Sequence, residues 1–374
     1  MPGPGEPVGV AVVGCGTISN EYLRNLTSFA DLRVLACADI EVERARAQAA
    51  KYGVPGAGST AEAIGHPGVE LVVNLTVPAA HAEVTAAAVS AGRSVWTEKP
   101  LATDTTTGRR LVRLAKRHGV RIGCAPDTLL GAGLQSARRL IEAGAIGVPQ
   151  TALALLQTPG PESWHPDPAF LFQRGAGPLF DMGPYYLSAL AALFGPARQV
   201  AALGRRSRDS RVIATGPRAG TAFPVEVPTH VAALIDYAAG QAATLLLSFD
   251  SPLHRHGFVE ITGTEATLAL PDPNGFGGDV RIRTADASDW TATPATGAAH
   301  GRGLGVLDLA QAIRAGTPHR ATGDMGLHVL ETMEAIGTSA AEGRFEPVHS
   351  TFQLPPAVPE GWDPELSTVA STAT

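Results

Sequence analysis

The chain has 374 residues, 44% of them hydrophobic and 17% charged, enough for one large or two ordinary globular domains. Its formal net charge of −6 comes without a basic run, which excludes an electrostatic footprint for nucleic acid. Three scattered cysteines, Cys15, Cys37 and Cys124, exclude a disulfide framework and a metal knuckle, and read as reduced, mostly buried thiols of a cytoplasmic protein. The opening Met1–Pro7 segment has neither a charged n-region nor an apolar h-region, so no signal peptide is expected. No apolar run is long enough to span a bilayer. Both termini, including the Ser/Thr/Ala tail after Leu366, are expected to fray.

The first third reads as a dinucleotide-binding half. Val8–Val13 is a continuous apolar run that ends in Gly14, Cys15, Gly16, Thr17, Ile18 and Ser19 and passes into a helical pattern through Asn25. Strand, glycine turn, helix is the context in which such a fingerprint binds a pyrophosphate. Gly14 permits the tight turn, Gly16 lets the backbone approach the phosphates, and Ser19 is the small residue needed where helix meets strand. The second strand, Leu32–Ala38, ends at Asp39, about 20 residues past the loop, where an acid binds ribose hydroxyls. Asp39 also suits capping of the helix over residues 41–52, and the two roles can coexist. Ile40 offers no arginine for a 2′-phosphate, so NAD is favoured over NADP, although Arg44 on the following helix tempers this.

Strand–helix alternation continues. Val69–Leu75 is a buried strand, broken by Thr76-Val77-Pro78 before a helix carrying His81. Ser94–Thr97 is a strand ending at Glu98-Lys99-Pro100. A helix runs from Thr103-Asp104 to about His118, and Val120–Cys124 is a fifth strand. This predicts a doubly wound parallel sheet, whose ligands lie at the carboxyl ends of the strands. Gly14–Ser19, Asp39, Thr76–Pro78, Glu98–Pro100 and Ala125–Thr128 all fall there. Lys99 at such an end can donate a hydrogen bond to a substrate oxygen or shuttle its proton. Taken alone it reads rather as a solvated lysine after a strand.

After Pro149 the pattern changes to strands over residues 151–156, 200–203, 230–237, 241–249, 258–262 and 266–270, consistent with a sheet packed on helices by one face. Residues 159–172 form an irregular loop holding Trp164 and His165. Trp164 either stacks on a sugar face or packs, and His165 is either an acid/base residue or a structural histidine. Next comes the glycine-rich stretch 175–188. There Asp181 and Tyr185, at i and i+4, share one helix face, with Ser188 a turn further on. Leu179, Phe180, Leu187 and Leu190 take the opposite face. Pro184 demands either a helix start near Asp181 or a kinked helix from Pro178. A capped surface helix with Asp181 as N-cap is the plainer alternative. His254 and His256 read as rim residues. Residues 271–278 and 291–303 read as loops, and 304–315 and 327–342 as closing helices. No trio of His, Cys or carboxylates has metal-site spacing, so no catalytic metal is expected.

The fingerprint, Asp39, Thr76-Val-Pro78…His81, Glu98-Lys99-Pro100 and Gly175-x-Gly-x-x-x-Asp181-x-Gly183, in this order, resemble the Gfo/Idh/MocA oxidoreductase family over about residues 8–345. The resemblance implies an α/β architecture: an N-terminal Rossmann domain (residues 1–126) and a C-terminal α+β domain (127–374) with an open-faced, largely antiparallel sheet. That sheet would cover the nicotinamide and build a homodimer or homotetramer. The implied activity is hydride transfer between NAD and a secondary hydroxyl or carbonyl of a sugar, cyclitol or glycoside. The family's lysine carries over to Lys99 and its aspartate to Asp181, while Tyr185 stands where histidine is usual and Ser188 where an acid is usual. The expected catalytic set is Lys99, Tyr185, Asp181 and His165. The cofactor would be held by Gly14, Gly16, Thr17, Ile18, Ser19, Asp39, Thr76, Pro78, His81, Glu98 and Lys99, and the substrate by Asp127, Trp164 and His165. Two further readings stay open: a redox-assisted glycosidase with tightly held NAD, and a non-catalytic dinucleotide-dependent sensor.

Overall fold

The computed structural model describes residues 6–368, which cluster into two compact units. The first gathers the described residues up to Gln135, Thr296–Leu330 and those from Gln353 onward, and the second Ser136–Ala295 and Glu331–Phe352. The units therefore do not follow a single cut after residue 126: residues 127–135, 296–330 and 353–368 cluster with the N-terminal fold.

The first unit is built on a six-stranded parallel sheet: β1 (Val8–Val13), β2 (Leu32–Ala38), β3 (Gly56–Gly58), β4 (Leu71–Asn74), β5 (Ser94–Thr97) and β6 (Ile122–Cys124), in the order 3-2-1-4-5-6. β1, β4 and β5 are buried at every position, as strands covered on both faces must be, and this explains their unbroken apolar runs. The short β3 lies on the edge and escaped the sequence, because Gly-Ala-Gly carries no strand signal. The crossovers are α1 (Ser19–Leu26), α2 (Val42–Tyr52), α3 (Thr60–Gly65), α4 (Pro78–Ser90) and α5 (Thr105–His118). α5 opens with Asp104 accepting from the Thr107 amide at 2.7 Å and ends on Gly119 in the left-handed region.

α6 (Ala132–Glu142) leads to a nine-stranded mixed sheet. Its strands are β7 (Pro149–Gln157), β8 (Ala197–Arg205), β11 (His230–Tyr237), β12 (Ala242–Ser248), β13 (Arg255–Gly263), β14 (Ala266–Leu270), β15 (Val280–Thr284), β16 (Thr291–Thr293) and β17 (Glu346–Pro347), in the order 16-15-14-13-7-12-11-8-17. Only the β7–β12 pair is parallel. A small hairpin of β9 (Ser210–Val212) and β10 (Ala222–Pro224) stands apart from it. β11 alternates in burial along its length, so one face is covered and the other open. Thr291–Thr293, expected as loop, pairs with β15; a three-residue edge strand of Thr-Ala-Thr is too short for an apolar alternation to announce it.

Of the two alternatives for the stretch around Asp181, the structure takes the one in which a helix starts just after Asp181 with Pro184 in its first turn, preceded by a separate short helix. α7 (Gly177–Asp181) stops at Asp181, and α8 (Gly183–Phe194) begins after Met182. Pro184 has no amide to continue the ladder to Phe180, and its ring crowds that carbonyl, so the helix breaks and restarts with proline in its first turn. α8 is buried on nearly every side, as suits a helix without a charged position.

Two helices close the chain, α9 (Leu304–Ala315) and α10 (Gly323–Glu342). The fraying expected at residues 1–5 and 369–374 lies outside the described residues. Ser367 and Thr368, at the start of that tail, are held: Ser367 Oγ and Thr368 Oγ1 both donate to Asp31 at 2.7 Å, and Gln311 Nε2 donates at 2.8 Å. Burial opposes ionisation of Asp31, but these hydrogen bonds outweigh it and hold the carboxyl below its usual range. A depressed folded value means stability that is present above the unfolded pKa and lost as pH falls through the folded one. Asp31→Asn is expected to cost about 1–2 kcal/mol near neutral pH, with the difference from the parent protein closing on acidification in urea titrations. A difference constant with pH would contradict this.

Candidate active site

The carboxyl ends of the parallel strands form a cradle. Gly14 has φ +96°, and a Cβ there would lie 2.6 Å from the Leu75 carbonyl carbon, so only glycine lets the β1–α1 turn pass under the end of β4. At Gly16 a Cβ would meet nothing within 4 Å, and that open backbone faces room for a pyrophosphate. Ser19 is fully buried and its Oγ donates to Gly16 O at 2.6 Å, closing the turn, while Thr17 stays exposed and Ile18 half-buried at the start of α1.

Asp39 is fixed from below. Oδ2 accepts from the Cys15 amide at 2.8 Å and Oδ1 from the Glu41 amide at 3.0 Å, so the acid braces the glycine turn and the start of α2 together. Glu41, not Asp39, is the N-cap position of α2. Arg44 Nη1 stands 3.5 Å from Asp39 Oδ1. Ile40 is 94% exposed beside the acid and Val77 67% exposed after β4. Exposed apolar side chains at the ends of the two strands that flank β1 suit the faces of flat rings, a role the sequence reading gave to neither. The donors, the open backbone and the fixed acid fit a dinucleotide.

The turn after β4 is organised by a residue the sequence did not single out. Buried Asn74 accepts from Thr76 Oγ1 at 2.6 Å and donates to His81 O at 3.0 Å. His81, expected to touch the cofactor, is instead interior: 1% exposed, with Nδ1 2.7 Å from Pro100 O and Nε2 2.9 Å from Thr76 O. It ties the ends of β4 and β5, so the correction is from contact to scaffold. Pro78 opens α4 in the first helical turn.

Glu98 is likewise engaged: Oε1 accepts from Tyr22 Oη at 2.8 Å and Oε2 from the Lys99 amide at 3.0 Å. Trp96 Nε1 donates to Tyr22 Oη in turn, at 3.2 Å. Burial, reinforced by Glu98, pushes the Tyr22 phenol far above its ordinary range, so it serves as a fixed donor. Lys99 follows at the end of β5, half-buried, and the Lys99–Pro100 and Ala125–Pro126 peptide bonds are cis.

Asp127 corrects another expectation. It has no exposed surface, and its carboxylate accepts from the Gly303 amide at 2.8 Å and the Gly305 amide at 3.2 Å, with Arg302 Nη1 at 3.4 Å. Burial pushes it up from the usual carboxylate range although Arg302 and the amides pull it down. It anchors the start of α9 and is out of a substrate's reach.

In the second unit, a cavity of about 110 Å³ is lined by Thr158, Ser163, Trp164, Asp181, His254 and His256 among others. Asp181 is half-buried there, while Tyr185, in the first turn of α8, is 8% exposed. Trp164 is 66% exposed at the cavity. His165 is not among the described lining residues. Its ring meets Trp164 edge-on with centroids 5.4 Å apart and Phe170 at 5.5 Å, and Nδ1 accepts from the Asp167 amide at 3.0 Å. It braces the indole.

A doubly wound sheet with a fingerprint turn and a ribose-type acid defines a dinucleotide-dependent oxidoreductase fold. Residues 8–125 match the model of the oxidoreductase family with NAD-binding Rossmann fold, and residues 134–269 match the Gfo/Idh/MocA C-terminal domain. The chain belongs to the Gfo/Idh/MocA family of NAD-dependent oxidoreductases. Among its relatives is inositol 2-dehydrogenase 3 of Saccharopolyspora erythraea, 28% identical over 76% of this chain and 79% of that protein. Mouse trans-1,2-dihydrobenzene-1,2-diol dehydrogenase is 26% identical over 67% of this chain and 71% of its own. An NAD-binding oxidoreductase from Klebsiella pneumoniae has the same fold (TM-score 0.82, 22% identity, 92% of this chain and 100% of that one). So does levoglucosan dehydrogenase bound to NADH and L-sorbose (TM-score 0.80, 20% identity, 92% and 100%).

Removing the Asp39 carboxylate tests the cofactor cradle. Asp39→Ala is expected to weaken NAD binding by about 1–3 kcal/mol through loss of charge-assisted ribose bonds. Calorimetric titration that finds NADP bound as well as NAD by the unmodified protein would remove Asp39 as the selecting group.

Proposed function

We propose that this protein oxidises a secondary hydroxyl of a neutral sugar or cyclitol, or reduces the corresponding ketone. The observation that carries this reading is the cavity that brings Asp181 of the family motif together with hydroxyl and imidazole groups, with an exposed indole on its wall. The named substrates of the relatives, inositol and levoglucosan, support the same chemical class. Gly14, Gly16, Ser19 and Asp39 would hold NAD, with Thr17, Ile18, Thr76, Pro78, Glu98 and Lys99 around it. Bound there, NAD supplies the acceptor for the hydride of the carbinol carbon.

The chain's own residues handle the proton. Lys99 polarises the reacting hydroxyl by donating a hydrogen bond to its oxygen, Tyr185 takes the hydroxyl proton, and Asp181 orients the substrate. Trp164 offers its face to the ring of the substrate. Steady-state NADH formation with a panel of cyclitols and hexoses tests the reading. Substrate cleavage without net NADH would point to the redox-assisted glycosidase, and binding without any turnover to the sensor.

The protein would work as a homodimer or homotetramer through the open face of its second sheet. Leu153, Leu203 and Leu234 are 41%, 58% and 56% exposed on that face, an apolar surface that a second copy would cover isologously. Leu203→Asp with Leu234→Asp is expected to shift the mass by light scattering to a single chain, and an unchanged mass would remove this face as the interface. The three buried free thiols support a cytoplasmic setting. Among the described residues no helix is long and apolar enough to cross a membrane.

A further inference from the structure

Tyr22 lies in the first turn of α1, and its side chain reaches the residue that follows β5. It is fully buried, and its Oη takes part in two hydrogen bonds, donating to Glu98 Oε1 at 2.8 Å and accepting from Trp96 Nε1 at 3.2 Å. A phenol has a single proton to give, and the indole can only donate, so the direction is fixed: the proton of Tyr22 goes to the carboxylate. Glu98 uses its other oxygen on the Lys99 amide, at 3.0 Å. Trp96, Tyr22, Glu98 and the Lys99 backbone thus form a continuous line of hydrogen bonds. It ends on the peptide unit that carries the lysine.

The far end of the line is equally held. Trp96 is fully buried in β5, and the start of α9 lies against its indole, where a Cβ on Gly305 would stand 2.0 Å from the ring. Asp127 keeps that start in place by accepting from the Gly303 and Gly305 amides. Filling space does not require the Tyr22 hydroxyl, since a phenylalanine ring has the same outline. Burying a hydroxyl against a carboxylate costs desolvation of both groups, and the bond returned is charge-assisted and directional. Its effect is geometric. The two oxygens of Glu98 are held from opposite sides, one by α1 and one by the Lys99 amide, so the carboxylate cannot turn without releasing one of them.

We infer that Tyr22 is a positioning residue for Lys99, acting through Glu98 on the peptide unit at the end of β5. The inference rests on the reading of Lys99 as the group that polarises the substrate oxygen. It gives a residue of the first helix a part in the rate without contact to substrate.

Tyr22→Phe tests it, because only the hydroxyl is lost. With the cyclitol or hexose that the unmodified protein oxidises fastest, kcat is expected to fall about 10–100-fold, the size of effect that a misplaced reacting group produces. KM and the dissociation constant for NAD should stay within about twofold. In a Glu98→Gln background the same substitution should add little, since the line is already cut there, whereas a general loosening of the core would add in full. The second readout needs no turnover. The chain has three lysines, Lys51, Lys99 and Lys116, so reductive methylation with a carbon-13 label gives a resolvable set of NMR signals, with that of Lys99 identified by Lys99→Arg. In the NAD-loaded protein, Tyr22→Phe should displace the Lys99 signal and leave those of Lys51 and Lys116 in place. A displaced Lys99 signal in a protein that oxidises no sugar or cyclitol upholds the positioning, and only the proposed reaction falls. An unmoved Lys99 signal, an unchanged kcat, or a full loss in the Glu98→Gln background overturns the inference. If Tyr22→Phe fails to fold, 3-fluorotyrosine at position 22 keeps ring and hydroxyl but alters the strength of the donor, and the Lys99 signal decides in the same way.

Discussion

Tyr185→Phe is expected to lower kcat by about 10²–10⁴-fold, the usual size of a general acid–base contribution, while the dissociation constant for NAD stays put. The substitution keeps the ring and therefore its packing. Tyr185 is 8% exposed at the head of a helix buried on nearly every side, so a large replacement would report on folding instead. Phenylalanine deletes only the transferable proton. Tyr185→His should return part of the rate, because imidazole can take the same proton and the family commonly has histidine here. If Tyr185→Phe keeps near-normal kcat while folded His165→Ala is inactive, the role belongs to the loop. The geometry argues against that outcome, since His165 already spends Nδ1 on the Asp167 amide and packs its ring between Trp164 and Phe170.

Arg211→Met should destabilise the second unit by about 3–5 kcal/mol, because it leaves two carboxylates without their cation. Arg211 is 4% exposed, pairs with Glu162 and Asp250, and lies over the Phe172 ring at 5.1 Å. Asp250 also accepts from Thr229 Oγ1 and Ser207 Oγ, both at 2.6 Å, so its charge is held in place when the guanidinium is gone. Adding Glu162→Gln and Asp250→Asn should recover a large share of the loss, which urea unfolding would measure. A loss under about 1 kcal/mol would mean that water reaches the two carboxylates. Arg211 Nε and Glu162 Oε2 are buried without a partner, so the cluster is not optimised for stability alone. It is a clamp joining the β9 strand to the Trp164 loop and to the end of β12.

The Asn74, His81 and Asp127 positions show how sequence and structure divide the work. His81 was legible as a residue near the cofactor half, yet its ring turns inward to two carbonyls, one of them Pro100 O, 19 residues away. Asp127 lay at a strand end, where a substrate contact was a fair expectation. Its partners Gly303 and Gly305 are 176 and 178 residues further on, in a segment whose sequence reads only as loop and helix start. Asn74 had no signal beyond standing at the end of a buried strand.

The sequence by itself determined the elements whose signals are local. Continuous apolar runs made the parallel strands, the Gly14–Ser19 turn and Asp39 marked the dinucleotide cradle, and Pro184 required a helix boundary, since all of these act within a few residues of the backbone. Only the tertiary structure decided what the buried polar groups are for. It turned Asp127 and His81 into scaffold and returned residues 296–330 and 353–368 to the first unit. The physical reason is that a buried donor or acceptor must be satisfied, and its partner is chosen by packing between segments that are distant in sequence.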